Sequence, residues 1–232
     1  MKGKLYGIGT GPGDPELLTI KALRLIKEAD LIVVPGEQAE SSVAYQIVQG
    51  IYPEIAEKDC MAVSMPMIKE RILLEEAHDK AAGMIKKELD KGKTIAFLTL
   101  GDPTVYSTYM YVHKRIANWG YETEIVNGIP SFCAVAAKIN TSLVENHEPL
   151  HVIPATYQME DAFDLNGTKV FMKAGKKLGE VKKRIIQSGS EAVMIENCGM
   201  PDEKIYRTAE EIPDQAGYYS LIIVKDAGKG ET

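Results

Sequence analysis

The chain has little of what many active sites and scaffolds are built from. It contains three cysteines and four histidines in 232 residues. Cys60, Cys133 and Cys198 lie far apart with no C-x-x-C spacing, which argues against a structural zinc site or a disulfide framework. Each is expected to be a small buried apolar residue. His78, His113, His147 and His151 are also scattered, without an H-E-x-x-H or related ligand spacing, so no metal is expected. A basic excess is missing: 27 Lys and Arg face 33 Asp and Glu, a net charge of −6. That excludes an ordinary nucleic-acid surface, though a local cationic cluster can still receive an anionic small molecule. No apolar run is long enough to cross a bilayer. The opening MKGKLYGIGTGPG turns into Gly-Pro-Gly before any signal-peptide core develops, and a cytoplasmic protein is expected. The phosphate loop G-x-x-x-x-G-K-[ST] is absent, and Cys, His and Asp are not spaced for nucleophilic catalysis.

What is present is an alternation of buried strands and amphipathic helices. Leu5–Ile8, Leu31–Val34 and Thr94–Leu100 read as short apolar strands, the pattern of a parallel sheet covered on both faces. Between them, helices are expected from Asp14-Pro15-Glu16, from Ser41 or Ser42, and over residues 69–90. A further helix is expected from Asp102-Pro103 through Trp119. The Asp-Pro pairs supply an N-cap and a first-turn proline. After Trp119-Gly120 the strands shorten: Glu122–Val126, Val152-Ile153, Lys169–Met172, Ala192–Ile195, an edge strand at Glu203–Arg207 and a closing strand at Tyr219–Val224. A small-residue helix over Ser131–Lys138 and a polar helix over 176–187 interrupt them. The expectation is an α/β protein of two domains, 1–117 with a parallel sheet and 118–232 with a mixed sheet.

Three strand ends carry close-approach backbone. Gly7-x-Gly9-x-Gly11-Pro12-Gly13 follows the first strand, where glycines allow tight turns and near contact with a ligand. It is not a dinucleotide fingerprint: Pro12 removes a donor and no ribose-binding acid is properly placed. Gly101-Asp102-Pro103-Thr104-Val105-Tyr106 follows another strand, where open α/β sheets bind ligands. Asp102 can accept a hydrogen bond from a ligand or cap the next helix. Asn127-Gly128-Ile129-Pro130-Ser131 ends a third strand, and reads equally as a turn followed by a Ser N-cap. Taken together, the three suggest a site that works by alignment more than by side-chain chemistry.

These segments resemble the tetrapyrrole methyltransferase family. Its Gly-x-Gly-Pro-Gly-Asp-Pro and Leu-Leu-Thr pattern stands here as Gly9 to Thr19, its Gly-Asp-Pro-x-x-Tyr loop as Gly101 to Tyr106, and its Gly-Thr-x-Val-x-Met segment as Gly167 to Met172. Its Pro-Gly-Ile-Ser/Thr segment stands as Asn127 to Ser131, with Asn127 where proline is usual. The stretches Ser41–Val48, Ser131–Ala137 and Glu148–Thr156 are most similar to the precorrin-2 or cobalt-factor II C20-methyltransferases.

The resemblance implies the two-domain tetrapyrrole methylase fold (class III), with S-adenosylmethionine as methyl donor in the interdomain cleft, and a homodimer. Carried over by motif, the cofactor contacts are Gly101, Asp102, Val105, Pro130, Ser131 and Met172, with a looser match at Thr208 or Ala209. Gly11, Pro12 and Gly13 are expected to line the tetrapyrrole trough. Lys69 and Arg71, and the run Lys173, Lys176 and Lys177, are candidates to face the substrate's carboxylates. Met61, Met65 and Met67 can wall a flat ring or simply pack in the core. The implied reaction methylates the C20 meso carbon. Its proton acceptor is not fixed by the residues: Tyr106, a water and the macrocycle itself are open. Methylation at another ring position, or a non-catalytic protein that kept the cleft, would preserve the same cofactor residues.

Overall fold

The computed structural model describes residues 2–66, 68, 70–154 and 161–226. The chain divides into two compact units, Met1–Pro130 and Ser131–Thr232. The first has a five-stranded sheet in the order β3-β2-β4-β1-β5. Its strands are β1 (Lys4–Gly9), β2 (Leu31–Pro35), β3 (Cys60–Val63), β4 (Thr94–Thr99) and β5 (Glu122–Val126). Every pairing is parallel. Four helices cover it: α1 (Ile20–Glu28), α2 (Val43–Ile51), α3 (Arg71–Asp90) and α4 (Tyr109–Asn118).

Strand periodicity assigns the two faces. In β2, Ile32 and Val34 turn toward the core beneath α1 and α2, while Leu31 and Val33 turn toward the core beneath α3 and α4. With both faces buried, the strand reads as an unbroken apolar run rather than an alternation. Each such side chain contributes about 1.5–3 kcal/mol by leaving water. The expected boundary after residue 117 differs from the compact unit because β5 pairs in parallel with β1, Lys4 to Ile8 against Glu122 to Val126. That pairing carries the first unit on to Pro130. Strand β3 had no sequence expectation; at the sheet edge Cys60 is exposed and Met61 and Ala62 are only partly buried.

Two helix starts also differ. Asp14 caps only a short 3-10 turn, Pro15–Leu17, through Glu16 N to Oδ1 at 2.9 Å. Leu18 then extends (ψ 128°), and α1 starts afresh, with Thr19 Oγ1 accepting from Ala22 N at 3.1 Å. Likewise Asp102 does not open α4. Tyr106 adopts a left-handed φ of 48° and breaks the chain's path; Ser107 Oγ then accepts from Tyr109 N at 3.2 Å and the helix begins. In both places the cap chemistry is correctly signalled, but it serves a turn because the next residues leave helical backbone.

The second unit has a mixed sheet in the order β6-β7-β10-β8-β9. Its strands are β6 (Leu150–Pro154), β7 (Thr168–Met172), β8 (Glu191–Glu196), β9 (Lys204–Tyr206) and β10 (Ser220–Lys225). β6 and β7 are parallel and the other neighbours antiparallel. Helix α5 (Ser131–Lys138) packs on the face of Val170, Ile195, Leu221 and Ile223. Helix α6 (Leu178–Ser188) packs on the face of Phe171, Met194, Ile222 and Val224. Buried Lys169 (1 % exposed) is tied at the start of β7, donating to Gly167 O at 2.9 Å and to the Asp226 carboxylate at 2.5 Å. Among the described residues, no helix is long and apolar enough to cross a membrane.

Candidate active site at the ends of β1, β4 and β5

Topology brings three loops together. β4, β1 and β5 are consecutive neighbours in a parallel sheet, so their C-terminal ends lie side by side. The chain leaves β1 for α1 on one face and leaves β4 for α4 on the other. Adjacent strands whose exits diverge in this way open a crevice, the usual ligand position in open α/β sheets.

The loops are joined mainly by backbone. Thr10 N donates to Thr99 O at 2.9 Å, Gly101 N to Gly11 O at 2.8 Å, and Gly11 N to Gly101 O at 3.3 Å. Gly11 and Gly101 form an antiparallel bridge with φ of 78° and 70°, a conformation that favours glycine. A Cβ on Gly9 would lie 2.5 Å from Gly128 N and 2.6 Å from Gly101 O; one on Gly128 would lie 2.1 Å from Gly101 O. From sequence alone these glycines are expected to serve turns and ligand approach. Here Gly9 and Gly128 admit one loop's main chain to another's, and Gly7 admits the ring of Tyr109, which would stand 1.9 Å from its Cβ. Gly101 is different: it is buried, yet among the described residues nothing beyond its own chain neighbours lies within 4 Å of where its Cβ would be. Its main chain therefore borders a recess that a ligand group can enter.

Asp102 (5 % exposed) stands at the centre. Its Oδ1 accepts from Thr104 N at 2.7 Å and from Thr104 Oγ1; its Oδ2 accepts from Asn127 Nδ2 and Gly128 N, both at 3.1 Å. Burial pushes its pKa up, but these hydrogen bonds outweigh burial and hold it below the ordinary carboxylate value. Val105, half-buried, donates its N–H to Asp102 O at 3.2 Å. Tyr106 lies 51 % exposed just beyond. Thr99 Oγ1 and Ser107 Oγ share a hydrogen bond of 2.9 Å that ties the end of β4 to the start of α4. Motif reasoning assigns no role to Ser107, Thr99 or Thr104; a hydroxyl within a few residues of a Gly-Asp-Pro turn is the available sign.

The structure thus brings Gly11, Gly101 and Asp102 together with Gly128, in one unit. Pro12 and Gly13 are buried in the continuation of the β1 loop. Pro130 ends the first unit and Ser131, half-buried, starts α5 in the second. Met172 ends β7 and packs with the α5-side cluster. Ala209, 7 % exposed, belongs to the α6-side cluster instead, while Thr208 is exposed, its Oγ1 accepting from Glu211 N at 3.4 Å. Arg71 is exposed at the first turn of α3. Lys69 and Met67 lie outside the described residues, as does part of the Glu148–Thr156 stretch. Met61 and Met65 pack against the core beneath α3 and α4. Lys173, at φ 57°, holds its ammonium 5.4 Å from the Tyr218 ring centre. Contrary to expectation, Cys60 and Cys133 are exposed and Cys198 is half-buried; they sit on an edge strand, on an open helix face and in a turn.

Comparison with known proteins agrees with this architecture. The sequence profile of the Tetrapyrrole (Corrin/Porphyrin) Methylases matches residues 4–213. A protein of Methanocaldococcus jannaschii named a probable cobalt-precorrin-2 C(20)-methyltransferase is 36% identical over 228 residues, 96% of each chain. The cobalt-precorrin-2 C(20)-methyltransferase of Salmonella typhimurium is 31% identical over 234 residues, 97% of each chain. The fold is shared with the uroporphyrin-III C-methyltransferase of Thermus thermophilus, solved with S-adenosyl homocysteine, at a TM-score of 0.71 and 20% identity over 96% of this chain and 92% of that one. The chain belongs to the tetrapyrrole (corrin/porphyrin) methylases, S-adenosylmethionine-dependent enzymes of the class III fold.

Proposed function

We propose that the protein transfers a methyl group from S-adenosylmethionine to C20 of precorrin-2 or its cobalt-bearing counterpart, in cobalamin biosynthesis. The C20 position is supported by full-length relatives that carry that name. The observation that carries the binding reading is the open space on the Cβ side of Gly101, where left-handed glycine backbone at a strand end lets a ligand group come close to the main chain. We assign cofactor contacts to Gly101, Asp102, Val105, Pro130, Ser131 and Met172, and more loosely to Thr208 and Ala209. Gly11, Pro12 and Gly13 are assigned to the tetrapyrrole.

The cofactor, when bound, supplies an electrophilic methyl group on a sulfonium. In accepting it the C20 methine carbon would take the methyl while the electron pair of the carbon–sulfur bond stays on sulfur, and would then have to give up a proton. The protein's part is alignment: holding reactants in near-attack geometry supplies about 7–11 kcal/mol in the best cases. A frame of backbone hydrogen bonds fits that role, because main chain locked on both sides reorganises little. Tyr106, a water and the macrocycle itself are the candidates for that proton, and Tyr106 has the left-handed backbone that is often found at functional sites. Arg71 meets the substrate's carboxylates in this reading, and Lys69 joins it. The helix dipole disfavours a cation at the start of α3, so Arg71 gains nothing there from the helix itself. A homodimer is part of the proposal.

The test is incubation with metal-free and cobalt-bearing precursors and isotopically labelled methyl donor, with the product located by mass spectrometry and carbon NMR. Label at C20 is expected. Label at another ring carbon refutes the C20 assignment, and binding of the cofactor without turnover over a tetrapyrrole panel refutes catalysis.

A further inference from the structure

Asn127 departs from the proline usual at its position, and the structure shows what the asparagine does. It is exposed, but its side-chain amide reaches back 3.1 Å to Asp102 Oδ2, the oxygen that also receives Gly128 N. Thr104 supplies the other oxygen with two donors. Four donors meet the roughly four lone-pair positions of an ionised carboxylate. The carboxylate so joins the loop after β4 to the loop after β5, at the point where Gly9, Gly101 and Gly128 are in backbone contact.

We infer that Asp102 and Asn127 act as a clasp that positions the ligand-binding backbone, with the Asp102 side chain turned inward to the loops rather than toward the cofactor. A proline would stiffen the loop by fixing its own φ; the amide stiffens it by a bond across to the neighbouring loop. Both are positioning residues. This inference rests on the cofactor reading above. Asp102's hydrogen-bond partners, from the loops after β4 and after β5, are all uncharged, so removing one donor leaves a buried charge short of a partner.

The experiment compares wild type with Asn127→Ala and Asn127→Asp. Asn127 is exposed, so both variants are expected to fold, as checked by circular dichroism. S-adenosylhomocysteine binding is measured by calorimetry between pH 5 and 8, and amide hydrogen exchange of the β4 and β5 loops is followed without ligand. Asn127→Ala should bind about five- to tenfold more weakly, the loss of one hydrogen bond to a charged group partly transmitted to the site, with faster exchange at the Gly128 amide. Asn127→Asp sets a second carboxylate against Asp102. It should bind more weakly still at pH 8 and recover toward wild type near pH 5, where one shared proton replaces the missing N–H. Wild type and Asn127→Ala should lack that recovery. A pH profile of Asn127→Asp parallel to that of Asn127→Ala, or exchange at Gly128 unchanged in both variants, overturns the clasp. If wild type binds no S-adenosylhomocysteine, the cofactor reading fails, and the exchange data still decide the clasp.

Discussion

A methyl group added at Gly9 tests the three-loop frame directly. Its Cβ would stand 2.5 Å from Gly128 N, 2.6 Å from Gly101 O and 2.8 Å from Gly128 Cα. All three are backbone atoms, so no rotamer change relieves them. To move from 2.5 Å to an ordinary contact of 3.4 Å, the β1 and β5 loops must separate by about 0.9 Å, which strains the Gly11–Gly101 bridge and the hydrogen bond from Gly128 N to Asp102. Overpacking of this kind costs about 1–3 kcal/mol, and in a chain of this size each kcal/mol lowers Tm by about 2–4 °C. Gly83 supplies the control: it lies within α3, and among the described residues nothing beyond its chain neighbours and its own helix's backbone comes within 4 Å of its Cβ position. There alanine should stabilise by about 0.4–1 kcal/mol, by restricting the unfolded chain and favouring the helix. Thermal and urea unfolding of both variants, with S-adenosylhomocysteine calorimetry, form the assay. Gly9→Ala should lose stability and at least tenfold in affinity, since about 1 Å of misplacement is costly where alignment is the function. A Gly9→Ala protein with wild-type Tm and wild-type affinity would refute the frame.

Three further outcomes follow from the packing. Asp226→Ala should cost about 3 kcal/mol in urea unfolding, because it leaves the buried Lys169 ammonium without its carboxylate; Lys169→Met added to it should recover part of that loss, and a strictly additive double variant would contradict the reading. His78, stacked on Tyr111 at 4.5 Å between ring centres and facing Arg115, Glu75 and Asp79, has its pKa lowered, first by burial and then by Arg115, with the two carboxylates opposing. The unfolded chain therefore takes up this proton first, so stability should fall as pH drops through about 6.5; His78→Phe should flatten that slope between pH 7.5 and 5.5 relative to wild type. Glu124, bonded to Lys21 and Lys4, is held at about 2, so its contribution is present above its unfolded value and lost as pH falls toward 2. The pair is partly exposed, so Glu124→Gln should cost only about 0.5–1 kcal/mol at pH 7 and less in 1 M salt.

Most of the fold was legible in the sequence because most of its elements are governed by local rules. β2 and β4 are continuous apolar runs, and α3 carries His78, Ala81, Ala82, Ile85 and Leu89 on one buried side. What escaped is non-local. β5 has an intermediate pattern, Glu122 to Val126, that suits either sheet; only its pairing with β1 assigns it, and with it the end of the first unit. β3 is a short edge strand with one fully buried residue, too little burial to leave a periodic signal.

The site shows the same division more sharply. Glycines after strands, and an aspartate before a proline, marked loops that the structure brings together, yet the sequence could not separate a cap from a contact. That choice depends on strand order. Had β5 been elsewhere in the sheet, Asp102 Oδ2 would have had no neighbouring loop to hold, and Asn127 would be one more polar residue in a turn. Because β4, β1 and β5 are neighbours, the same carboxylate spans two loops, and the glycines that looked like room for a ligand are largely room for one another. Gly101 is where that internal use stops, since among the described residues nothing beyond its chain neighbours fills the space on its Cβ side. Where loops meet through main chain in this way, side-chain motifs foretell which loops meet far better than they foretell which atoms pair.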